Sequence, residues 1–159
     1  MDTNRTCGTC TLCCRTHGVF EMHKLPGTWC SLCQVNKGCM IYSGRPKSCQ
    51  EFTCAWLLGF GLSEYRPDNT GIVPDFQEIP GIGLVLYLWE AREGMMSSGF
   101  VKKQTGINLQ AGKFVLHVPI QGNPRLYVPE GKNVADYRLV FGDVVDKEIQ
   151  VVKFSKGRF

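Results

Sequence analysis

All nine cysteines of this 159-residue chain fall between Cys7 and Cys54, and residues 55–159 contain none. They come in groups. Cys7, Cys10, Cys13 and Cys14 stand in C-G-T-C-T-L-C-C, Cys30, Cys33 and Cys39 in C-S-L-C-Q-V-N-K-G-C, and Cys49 and Cys54 in C-Q-E-F-T-C. Two residues between cysteines is the spacing that turns the backbone so that both sulfurs reach one ion. The distribution divides the chain into a cysteine-cluster module, residues 1–60, and a cysteine-free part, residues 61–159, expected to form one compact unit with it.

Crowded thiols mean a disulfide scaffold, a redox site or a metal site. An odd count leaves one cysteine unpaired in any full disulfide framework. The first residues, MDTNRTCGTC, hold no apolar stretch of the kind an exported leader needs, and the run from Gly83 to Trp89 is too short to span a bilayer. These features predict a cytoplasmic protein without a membrane partner, where structural disulfides are rare. The balance therefore falls on metal binding, with all nine cysteines as candidate ligands. At 43% hydrophobic and 20% charged, the chain has the composition of a folding domain.

Zinc is the leading metal, because tetrahedral thiolate sites need no redox chemistry and four protein ligands close them. One or two such sites would use most of the cysteines. An iron–sulfur cluster is the alternative. The Cys7, Cys10, Cys13 spacing follows the ferredoxin run, but Cys14 comes directly after Cys13 where that run needs three residues and a Cys-Pro. Adjacent cysteines point apart, so Cys13 and Cys14 suit two different ions or a bridged pair. His17 and His23 could each substitute for a thiolate, whereas His117, inside F-V-L-H-V, reads as structural. A surplus thiol could be catalytic, with Cys14 or Cys33 the candidate. Arg5, Arg15, Lys24, Lys37, Arg45 and Lys47 outnumber Asp2, Glu21 and Glu51 over residues 1–54, a balance that suits thiolates and a solvated surface equally.

The motif resembles that of the YkgJ-like cysteine-cluster family, described as putative zinc- or iron-chelating domains. The resemblance rests on C7-G-T-C-T-L-C-C14, on Cys30 with Cys33, on G38-C-M-I-Y42, and on R45-P-K-S-C-Q-E-F-T-C54. It covers residues 7–58, about a third of the chain. The chain departs from the usual pattern by carrying extra cysteines, so the ligand set does not transfer whole. The resemblance implies a metal site and assigns no reaction.

Local patterns sketch the rest. Ser48 and Glu51 form a capping-box pattern after Pro46, predicting a helix over 48–58 that ends at Gly59. Residues 59–80 read as turn-rich, with a turn at Arg66–Gly71. Strands are expected at 83–90, 113–119 and 125–129, the last two joined by a turn at 121–124, with short strands at 137–141 and 148–154. A weakened helix is expected within 93–106. The sum is α+β: the metal-bound module packed on a small, mostly antiparallel sheet with one or two helices.

No nucleophile elbow, phosphate loop, dinucleotide fingerprint or zincin motif is present, so no enzyme class is assigned. The net charge of +4 is too small to imply a polyanion partner. Lys102-Lys103 and the tail from Lys153 to Phe159 leave a zinc-dependent nucleic-acid-binding module as a second alternative. The partner is otherwise unknown.

Overall fold

The computed structural model describes residues 5–79, 82–132 and 149–153. The cysteine-rich part is built almost entirely of turns. It holds one helical turn, α1 (Cys13–Thr16), a two-residue ladder of β1 (Cys33–Gln34) with β2 (Gly38–Cys39), and a short helix, α2 (Lys47–Glu51). A further turn of helix, α3 (Pro67–Thr70), leads into β3 (Ile72–Ile79). After it come β4 (Gly83–Glu90), α4 (Gly99–Gln110), β5 (Phe114–Val118), β6 (Arg125–Val128) and β7 (Gln150–Lys153).

The five longer strands form one sheet in the order β3-β4-β5-β6-β7. It is mixed. β3 with β4 and β5 with β6 are antiparallel, while β4 with β5 and β6 with β7 are parallel. The first parallel pair follows from α4, which carries the chain back across the sheet before β5 begins. The architecture is α+β.

Side chains alternate across a strand, so a run buried on both faces must be apolar at every position. This explains G-L-V-L-Y-L-W. Val85, Tyr87 and Trp89 join one core with Phe114, Leu116, Leu126, Val128 and Val73. Leu86 and Leu88 join a second core with Val115, Ile72 and the α4 residues Val101 and Leu109. The first core also takes in Leu12, Cys54 and Trp56. The molecule is thus layered, with the cysteine module on one face of the sheet and α4 on the other.

Three expectations change. The helix over 48–58 stops at Glu51, and Phe52 is already extended. Ser48 does not cap it: its N–H and hydroxyl both donate to Glu21. The chain after Phe52 is instead drawn to the sheet, where Ala55 N donates to Pro74 O at 2.8 Å. Residues 72–79, expected to be part of a turn-rich stretch, form β3. Pro74 has no N–H to give a ladder, but β3 is an edge strand and tolerates it. The expected helix within 93–106 lies later, at α4, preceded by a 3-10 turn at Met95–Ser97. The strands expected at 83–90, 113–119 and 125–129 appear, and that at 148–154 appears as β7; the one at 137–141 lies outside the described residues. No helix among the described residues is long and apolar enough to cross a membrane.

Candidate metal centre

The four cysteine groups meet. Cys7, Cys10, Cys13, Cys14, Cys30, Cys39, Cys49 and Cys54 all line one cavity of about 160 Å³, together with His17, Phe52, Trp56, Arg45 and Arg66. Cys33 is the exception. It does not line this cavity, though its thiol is a hydrogen-bonding neighbour of Cys14. All nine are free thiols. Among the described residues no three His, Cys, Asp or Glu side chains are gathered closely enough to hold one ion as they stand. The thiols share a wall, not a point, and an ion would have to draw their side chains inward.

Backbone turns place them. Two of the three C-x-x-C segments close by the same bond, Cys10 N to Cys7 O at 2.9 Å and Cys33 N to Cys30 O at 3.1 Å. Gly8 makes the first turn possible, with φ of +53° and the Arg66 guanidinium so close that a β-carbon there would lie 3.1 Å from it. Cys30 N donates to Cys14 O at 3.0 Å, and Cys39 pairs with Cys33 across the small ladder. Pro46 O accepts from Cys49 N at 2.9 Å, which sets Cys49 at the start of α2.

The donor set fits a thiophilic metal. Soft thiolates select zinc or iron–sulfur clusters, and thiolates need N–H donors and nearby cations. The backbone N–H groups of Leu12 and Asp68 act on Cys10, and those of Leu57 and Trp56 on Cys54. Burial nonetheless dominates while the thiols are free. It holds Cys7, Cys10 and Cys49 above the ordinary thiol range and pushes Cys54 up to about 11. Cys33 is also pushed up to about 11, first by burial and then by Cys14. Cys14 is raised furthest, chiefly by its hydrogen bond to Cys13 and then by burial. The raised thiols, Cys7, Cys10, Cys14, Cys49 and Cys54, therefore keep their protons near neutral pH, and an ion binding them must displace those protons. Lys24 is lowered by its own burial, while the neighbouring Cys30, Cys14, Cys49 and Cys13 hold its charge in place.

The histidines separate. His17 lies on the cavity wall, its ring against Phe52 at 3.9 Å and Trp89 at 4.9 Å between centroids. Its Nδ1 is 2.8 Å from Thr16 Oγ1, and its Nε2 faces Asp75 Oδ2 at 3.8 Å. His23 takes a left-handed turn and lies outside this cavity. His117 is buried against α4, with Nε2 2.7 Å from Thr105 Oγ1. Sequence reasoning missed Asp75, Asp68 and Arg66 as neighbours of the site. Each reaches it from outside the cysteine-rich part, and no local pattern marks them. The chain matches no protein-family model, no curated protein and no solved structure.

Proposed function

We propose that this protein is a metal-binding protein that holds one or two zinc ions through its clustered cysteine thiolates, in the manner implied by its resemblance to the YkgJ-like family. The observation that carries the reading is convergence. Cysteines up to 47 positions apart in sequence, from Cys7 to Cys54, line a single cavity. Chance placement of thiols over a folded surface would not gather eight of nine on one wall. A lone catalytic cysteine would not need the others.

An iron–sulfur cluster is the second reading, and one observation favours it. The thiols border an open space instead of collapsing on a point, and a polynuclear core fills more room than a single tetrahedral ion. The nucleic-acid reading draws less support. Lys102 and Lys103 lie on α4, across the sheet from the cysteine cavity, so a zinc module would not present them. The tail beyond Lys153 lies outside the described residues.

Elemental analysis of protein purified without oxygen separates the readings. The proposal expects about one to two zinc per chain, no iron and no visible colour. Iron with matching acid-labile sulfide would replace zinc by the cluster. Absence of any bound metal would overturn both.

A further inference from the structure

We propose that an open groove beside the cysteine cavity is the route by which a thiophilic ion enters and leaves it. The His23 imidazole is the outer relay ligand, and Cys30 is the thiol that receives the ion. This rests on the metal-binding reading above and deepens it. The groove has a volume of about 340 Å³, and Met22, His23, Lys24 and Cys30 line it. Met22 and Cys30 line the cysteine cavity as well. They form the partition between the two spaces, and Cys30 borders both. A thioether, an imidazole and a thiol thus line one groove, and these are the donor types that soft and borderline metals take.

A short hairpin sets His23 at this groove. Val19 N donates to Lys24 O at 2.9 Å, and Lys24 N to Val19 O at 3.1 Å. The turn between them closes with His23 in the left-handed region, at φ 50° and ψ 28°. Glycine is the residue that takes this conformation freely, so histidine here is uncommon. Its side chain is exposed. Cys30 is fixed from the other side. Its N–H donates to Cys14 O at 3.0 Å, which ties the thiol at the groove to one that lines the cavity. Met22 is half-buried, and its unbranched side chain is the flexible part of the partition.

Charge favours this side over the other. Cys7 is the exposed thiol of the set. Arg66 lies against its neighbour Gly8, however, and Arg45 and Arg66 both line the cavity, so a cation approaching there meets guanidinium charge. Lys24 at the groove is differently placed. Its ammonium donates to the carbonyls of Arg15, His17 and Leu25, which take up its charge.

The ion passes by ligand exchange, with no change of oxidation state. Cys30 gives its proton to solvent as its sulfur binds, and each later thiol does the same. A relay ligand lowers the barrier in both directions and leaves the affinity of the finished site unchanged. A resident ligand would change the affinity.

Zinc exchange on the reduced, full-length protein tests this. Uptake by the metal-free protein and release to an excess of colour-forming chelator are timed for the wild type, His23→Gly and His23→Asn. Zinc per chain and zinc affinity are measured beside the rates. Glycine and asparagine both accept the left-handed turn, so the hairpin is kept, and circular dichroism verifies the fold. Both variants are expected to slow uptake and release by the same factor, roughly tenfold, or about 1.4 kcal/mol in the barrier. Zinc content and affinity are expected to stay as in the wild type. Unchanged rates would overturn the relay. Loss of zinc or of affinity in the variants would also overturn it, because His23 would then be a resident ligand. A wild type that takes up no zinc would overturn the metal-binding reading itself.

Discussion

His117 shows how one buried side chain sets a pH limit on the fold. Burial, and secondarily the Arg125 guanidinium, lower it from 6.5 to about 4. Its Nε2 and the Thr105 hydroxyl satisfy each other at 2.7 Å, so the neutral ring is at home and the charged ring is not. The unfolded chain takes up a proton near pH 6.5 and the folded chain only near pH 4. Between those values the unfolded state binds more protons, so stability falls as pH falls. The loss reaches roughly 3 kcal/mol once both states are protonated. Denaturant titrations from pH 7 to pH 4 are expected to show this decline, and His117→Gln to flatten it. An unchanged slope in that variant would mean that other groups carry the acid sensitivity. At the candidate metal centre the same scale of reasoning applies to Gly8, where a side chain would sit on a left-handed backbone of φ +53° and press on the Arg66 guanidinium 3.1 Å away.

Among the elements, α4 depends on its first turn. Ser98 Oγ accepts from Val101 N at 3.3 Å, and the helix interior contains Gly106. Ser98→Ala is expected to cost about 1 kcal/mol. Thermal unfolding would show it as a lowered midpoint with no change in metal content, because α4 lies across the sheet from the cysteines. Loss of metal in this variant would contradict the layered description. The strands of this part were legible because each apolar run lies between turn formers, and burial on both faces removes any polar interruption. β3 was not legible. Pro74 and the charged Asp75 and Glu78 break its pattern, and only its edge position and its bond to Ala55 make it a strand. The helix after Pro46 was overestimated for a related reason, since propensity favoured it through Leu58 while the sheet edge pulled the chain straight at Phe52. The cysteines that line the cavity, all but Cys33, could be singled out from their spacing. Their convergence could not, because it depends on contacts through space, as do the positions of Arg66, Asp68 and Asp75 beside them, and these leave no local signature.

At the scale of the molecule, the two parts differ in what holds them. The sheet has apolar cores on both faces, and Val85, Leu86, Tyr87, Leu88, Leu116 and Leu126 have no solvent exposure at all. The cysteine module has short turns, a two-residue ladder and few buried apolar residues. Metal is expected to supply the stability that the module's own core does not. Hydrogen exchange after chelation should show amides of residues 7–54 losing protection while those of β4 and β5 keep theirs. Uniform loss would mean that the module is part of one cooperative unit with the sheet. Undiminished protection would mean that metal adds nothing to its fold. The most direct test of the account is X-ray absorption at the metal edge of the protein as purified. The account predicts a zinc edge with about four sulfur neighbours at roughly 2.3 Å. A first shell dominated by oxygen and nitrogen would contradict it, because the cysteines would then not be the ligands.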